Sequence, residues 1–222
     1  MDNNNLPDYF WAKTTEDGKT AKSVLSHMYD VRAVAEILLR QKGQLLRNYG
    51  FENLAAFAGL HDIGKISPGF QAKCSDWLKK YNLRDNYGEP YEKDHSTVTQ
   101  HAINKILQKK GAGIEASELW SALLGAHHGR LHRPGIRLKD NEEEWEEKRQ
   151  EVMNTFLGGL QLPCFPIDDS WPFLWWLAGL VSVSDWIGSA EQWFPVTQET
   201  TTGVSQKNAD LALNAINFDV PS

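Results

Sequence analysis

The chain has 222 residues, a formal net charge of −6 and two cysteines, Cys74 and Cys164. That length supports one domain with a full core, and the acidic balance excludes a protein that coats nucleic acid with a broad basic face. Two distant cysteines exclude a disulfide framework or a thiolate zinc site. The opening "MDNNNLPDYF" lacks the basic start and apolar core of an export signal. The longest apolar run, "FLWWLAGLVSV" at 173–183, falls short of the roughly 20 residues that span a bilayer. A reducing cytoplasm and no membrane association are expected.

Apolar spacings of three and four dominate over alternation, so an all-α domain is expected, a compact helical bundle. Predicted helices run over 22–41, 51–62, 69–80, 95–110, 115–127, 142–158, 171–189 and 206–216. In the first, Val24, His27, Val31, Val34 and Leu38 share one face, which turns His27 toward the core. Leu54, Ala58 and His61 form a similar stripe in the second, which ends in the doublet His61-Asp62 followed by Gly64 and Lys65. Further on, Trp120, Leu123 and His127 lead into "AHHGR". The next loop carries Arg130, Arg133, Arg137 and Lys139, and the acidic "NEEEWEE" follows it. The Trp-rich segment, read as a buried helix, aligns Trp171, Leu174, Ala178, Val181 and Asp185. The stretch "PVTQETTTGVS" at 195–205 reads as a flexible linker. It divides a domain at 1–194 from a linker and short C-terminal helix at 195–222, with a further domain expected to follow.

Polar groups thus recur at buried positions. Taken singly, each has a bland reading: His27 as a hydrogen-bonded core histidine, His127 and His128 as partners of a helix C-terminal dipole, Asp185 as a cap or ion-pair partner, Lys65 as a surface residue. A buried aspartate costs several kcal/mol unless it is paired or bound to a metal. Several such groups converging in one bundle point to a common ligand. Imidazole and carboxylate without thiolate suit Mn, Fe, Co, Ni or Zn. Five histidines and two aspartates exceed one tetrahedral site, whereas two ions sharing a carboxylate would use them all, with Asp62 as the natural bridge.

The segments "SHMYDVRAVAEIL", "LHDIGK", "FQAK", "DHS", "AHHG" and "SDW" together resemble the HD phosphohydrolase superfamily, and within it the HD nuclease domain of the CRISPR-associated nuclease-helicase of type I systems. The resemblance implies two divalent transition-metal ions. One would be held by His27, His61, Asp62 and Asp185, the other by Asp62, His95, His127 and His128, with Lys65 on the scissile phosphate. His95 fits better than His101, because Ser96 follows it as in the family and Val98, Ala102 and Ile106 continue its face. His101 is rotated by roughly 120°. The resemblance also implies cleavage of single-stranded DNA, a superfamily 2 helicase domain or subunit, and a CRISPR RNA-guided surveillance complex as partners; the chain itself is expected to be a monomer. No G-x-x-x-x-G-K-[ST] loop occurs in these residues, so strand separation is expected elsewhere. Arg130, Arg133 and Arg137 would steer phosphates toward the site, unless they pair with "NEEEWEE" as solvated charges. Two other readings stand beside this one: a phosphohydrolase acting on a dNTP or cyclic nucleotide, and a non-catalytic module with a structural metal and a Trp-rich partner surface.

Overall fold

The computed structural model describes residues 10–40, 51–74, 92–130, 143–163 and 171–217, the side chains of 51, 52, 143, 171 and 172 excepted. Helix α1 (Val24–Arg40) is the central element. Val24, Val31 and Val34 are fully buried along the face that the three-and-four spacing marks, and His27 is fully buried with them. Around α1 pack α2 (Phe51–Gly59), α7 (Trp171–Gly188) and α8 (Thr202–Ala215). The other layer pairs α4 (His95–Lys109) with α5 (Ile114–Gly125), and α6 (Glu143–Leu157) touches α1. Arg149 of α6, itself buried, donates from Nη1 to the Ile66 carbonyl at 2.9 Å.

Three predicted elements differ in their details. The second helix does not run to residue 62: α2 ends at Gly59 and the chain tightens into a 3-10 helix, Leu60–Lys65. The helix expected at 69–80 is the short α3, Pro68–Gln71, started by Ser67, whose hydroxyl accepts from the Phe70 N–H; residues 75–80 lie outside the described ones. The Trp-rich helix α7 is buried on one face only. Leu177 and Val181 are fully buried, while Trp175 and Trp186 on the opposite face are 59% and 71% exposed.

A small antiparallel hairpin, β1 (Trp11–Thr14) with β2 (Thr20–Ser23), joins the helices. The alternation test passes over it for a physical reason. Register shifts between Trp11 and Lys13 and between Lys13 and Thr14 put Trp11 and Ala12 in the core one after the other, so the period of two is lost. The turn residues Asp17-Gly18 are the signal that does mark it, with Gly18 at φ +78°. The hairpin is docked by Gln71, whose Nε2 donates to the Trp11 carbonyl at 3.0 Å, and by Trp11 lying 4.7 Å from the Phe70 ring.

The stretch 195–205, expected as a flexible linker, is instead tied to the start of α1. The Glu199 carboxylate accepts from the Ser23 N–H and hydroxyl at 2.9 and 2.7 Å, and the Thr200 N–H donates to Ser26 Oγ at 2.9 Å. Helix α8 then begins at Thr202, and Ser205 donates to Asp30, the buried partner of Lys22. Among the described residues no helix is long and apolar enough to cross a membrane.

Candidate metal centre

The 3-10 helix is the hub of the site. Its winding of three residues per turn eclipses positions three apart, and Lys65 Nζ accordingly sits 2.6 Å from Asp62 Oδ2. Lys65 is only 7% exposed, against the surface placement that base rates favour for lysine. Gly64 lets this segment lie directly on α4. Its N–H donates to Thr99 Oγ1 at 3.0 Å, and that hydroxyl donates to the His61 carbonyl at 2.8 Å.

Two clusters of donor atoms flank Asp62. In the first, one ligand atom from each of His27, His61 and Asp185 lies within 4.8 Å of the others. His27 comes from α1, and Asp185 from α7, where the helical stripe places it. In the second, His95, His127 and His128 converge within the same limit. His95 opens α4 just after Asp94, whose carboxylate caps the helix by accepting from the Ser96 N–H at 3.0 Å. His127 and His128 follow the C-terminus of α5, where the helix-dipole reading puts them, and yet they also face His95. His101 lies outside both clusters.

The two oxygens of Asp62 face different ways. Oδ2 lies 3.3 Å from His27 Nε2 and 3.4 Å from His61 Nε2, while Oδ1 lies 3.2 Å from His95 Nε2 and 3.8 Å from His127 Nε2. The aspartate therefore joins the clusters.

The donor chemistry fits a divalent metal. Both ring nitrogens of buried His61 lack a hydrogen-bond partner, although Nε2 stands 3.4 Å from both Asp62 Oδ2 and Asp185 Oδ1. An orphaned buried imidazole is costly, and a cation between these atoms would satisfy it. His127 Nδ1 contacts the Leu124 carbonyl at 2.6 Å, and a carbonyl can only accept. Nδ1 therefore carries the proton, leaving the Nε2 lone pair aimed at the cluster.

Electrostatics agree with this. Burial opposes ionisation of Asp62, but Lys65 and His61 outweigh it and hold the carboxyl well below its usual range. Burial likewise opposes charge on His61, and the Asp62 and Asp185 carboxylates overcome it, pushing the imidazolium up to about 9. Burial, reinforced by the charge on His61, takes His127 down to about 3. The two carboxylates that favour an imidazolium at His61 are the same groups that a bound cation would neutralise. Metal uptake at neutral pH is expected to expel the imidazolium proton, so calorimetric binding heats should vary with the ionisation enthalpy of the buffer. The release should fade above pH about 9, where His61 is already neutral. Heats that do not depend on the buffer would count against His61 as a ligand.

A family model described as "Cas3, HD domain" matches residues 11–194. The chain belongs to that family. A CRISPR-associated endonuclease/helicase Cas3 of Thermus thermophilus is 28% identical over 234 residues, covering 93% of this chain and 25% of that protein. A CRISPR-associated nuclease/helicase Cas3 of Streptococcus thermophilus is 26% identical over 259 residues, covering 91% and 27%. The chain thus spans about a quarter of the length of these curated relatives. Among solved structures, a CRISPR-associated protein superposes with a TM-score of 0.76 at 26% identity, covering 97% of this chain and 28% of the other. The Thermus thermophilus Cas3 HD domain, crystallised in the presence of Ni2+, gives 0.68 at 23% identity, covering 95% and 90%, a likeness of fold. The residues matched by the family model include both donor clusters.

Sequence reading missed Lys13 of β1. Its Nζ donates to Ser189 Oγ at 2.8 Å, and Ser189 Oγ donates to Asp185 Oδ1 at 2.9 Å. The Asp17-Gly18 turn could have revealed the hairpin, but nothing in the sequence brings its lysine to residue 189. Arg130 is exposed, two residues after His128; Arg133 and Arg137 lie outside the described residues.

Proposed function

We propose that this chain is a metal-dependent nuclease domain that cleaves single-stranded DNA in type I CRISPR interference. It would act with a superfamily 2 helicase, in the same polypeptide or as a separate subunit, and with an RNA-guided surveillance complex. The observation that carries the reading is Asp62, whose Oδ2 faces one histidine cluster and Oδ1 the other. That arrangement suits two divalent transition-metal ions sharing one carboxylate, the first held by His27, His61, Asp62 and Asp185, the second by Asp62, His95, His127 and His128. When bound, such a pair neutralises a phosphodiester and acidifies a water.

The protein's own part is placement. Lys65 holds Asp62 ionised and oriented, and with a second N–H on the Ala12 carbonyl its third is available to a phosphate oxygen. His27 and His61 are fully buried, whereas His128 is exposed and the His95 side chain is 14% exposed. A polymer therefore reaches the site from the His95–His128 side. Arg130 stands on that side, and we extend the same role to Arg133 and Arg137, a local basic approach to an acidic protein. We assign the catalytic unit to residues 1–194, with Glu199, Thr200 and Ser205 tied onto it; where the helicase shares the polypeptide, 195–222 would lead toward it.

The direct test combines metal analysis of the purified chain with a circular single-stranded DNA assay across divalent ions, run beside dNTP and cyclic-nucleotide substrates. Metal-dependent opening of the circle is expected. Hydrolysis of the nucleotides alone would replace this reading with that of a nucleotide phosphohydrolase. For the approach path, replacing Arg130, Arg133 and Arg137 together should weaken single-strand binding and flatten its salt dependence, by roughly 0.7 in slope per lost phosphate contact. Metal content should not change, because guanidinium groups are not ligands. An unchanged slope would put the strand on another face.

A further inference from the structure

We infer that Lys13 and Ser189 form a positioning relay that fixes the metal-facing oxygen of Asp185. The inference rests on the metal-centre reading above. Asp185 Oδ1 is the oxygen that lies 3.2 Å from His27 Nε2 and 3.4 Å from His61 Nε2. The same atom accepts from Ser189 Oγ at 2.9 Å, and Ser189 Oγ accepts from Lys13 Nζ at 2.8 Å. The direction of this chain is forced. An ammonium only donates and a carboxylate only accepts, so the serine hydroxyl must take a hydrogen bond from Lys13 and give its own hydrogen to Asp185. A hydroxyl that would otherwise rotate freely is locked in one orientation.

The ends of the relay are fixed as well. Ser189 follows the last residue of α7, Gly188, where an added Cβ would come within 3.1 Å of Val31 Cγ2 and 3.3 Å of the Val31 backbone, so this end of α7 is pressed onto α1. Lys13 is carried by a hairpin that also reaches the other side of the site. The carbonyl of Ala12, its neighbour, accepts from Lys65 Nζ at 3.4 Å, and Gln71 ties the Trp11 carbonyl to that of Lys65 at 3.0 and 2.9 Å. Two side chains that touch Asp62 and Asp185 are thus registered by one strand. Groups that orient metal ligands in this way commonly change metal affinity 10- to 100-fold when removed.

A double-mutant cycle on metal affinity tests the relay, with Co2+ as the probe and its visible absorption as the signal. A charge near a cation acts through space whether or not Ser189 is present, so the cycle cancels that contribution and leaves the part carried by the hydroxyl. Ser189→Ala is expected to weaken Co2+ binding about tenfold and to alter the absorption bands. Ser189→Thr, which keeps the hydroxyl, should restore both. Lys13→Met should weaken binding several-fold more in the native background than in the Ser189→Ala background. If Lys13→Met lowers the melting temperature, Lys13→Thr, too short to reach Ser189, takes its place in the cycle. Equal factors for the Lys13 change in the two backgrounds, or native affinity in Ser189→Ala, would overturn the relay. Failure of the native chain to bind Co2+ at all would instead overturn the metal-centre reading on which it rests.

Discussion

Asp62→Ala is expected to reduce single-strand cleavage to background and to lower metal content at both histidine clusters together. Each cluster supplies three donors without it: His27, His61 and Asp185 on one side, His95, His127 and His128 on the other. On the two-ion reading proposed above, each would use the shared carboxylate both as a further ligand and as negative charge to offset a divalent cation. Asp185 Oδ1 lies on the side of the first cluster, facing His27, His61 and Ser189. The alanine variant also strands Lys65, buried and 2.6 Å from its lost partner, and removing one member of a buried pair costs about 3–5 kcal/mol. Asp62→Asn separates the two effects. It keeps the volume and one acceptor oxygen for Lys65 but removes the charge, so it should stay folded while still losing metal at both clusters. Mass-spectrometric metal content and melting curves of the two variants decide the point, and native metal content in Asp62→Asn would sink the bridging assignment.

Much of this site was legible because the side chains that cluster in it obey helix periodicity. His27 and Asp185 stand on apolar stripes that a helix must turn inward, and the preference for His95 over His101 followed from the residue after it and the face it begins. The doublet His61-Asp62 with Lys65 was legible as a motif, but its local geometry was not. A 3-10 turn differs from a helix end by only a slight tightening of the backbone, and this turn is imposed by packing against α4 rather than by propensity. The hairpin was invisible to alternation because its register shifts bury adjacent residues. The tie between residues 199–200 and α1 was hidden in a stretch whose Thr, Gln and Gly content reads as a linker: the partners that Glu199 and Thr200 find, Ser23 and Ser26, are more than 170 positions away. Lys13 was lost for the same reason, its role depending on a residue 176 positions distant. Local pattern reports which face a residue occupies. It does not report what arrives opposite.

Gly64→Ala tests how closely the hub must lie on α4, and a large loss of both stability and metal is expected. A Cβ built at residue 64 would stand 2.0 Å from the His95 carbonyl oxygen, 2.4 Å from the Thr99 nitrogen and 2.7 Å from Thr99 Oγ1. Two of these are backbone atoms of a helix, so no side-chain rotation relieves the clash. Either α4 or the 3-10 helix must shift. Overpacking a core typically costs about 1–3 kcal/mol and occasionally more, and a backbone collision belongs at or above the top of that range, a large share of the 5–15 kcal/mol that about spans the stability of a domain. A shift would also break the hydrogen bonds that run from Gly64 through Thr99 to the His61 carbonyl. It would carry His95, the first residue of α4, away from Asp62 Oδ1, which it faces at 3.2 Å. Metal should therefore be lost even in whatever fraction stays folded. Gly179→Ala is the control, since a Cβ there meets nothing within 4 Å and alanine in a helix interior is worth about 0.5–1 kcal/mol over glycine; it should raise the melting temperature slightly and leave metal content alone. Native stability and metal content in Gly64→Ala would mean that the 3-10 helix and α4 have room between them, and that the close approach is not what brings His61 and His95 to one aspartate.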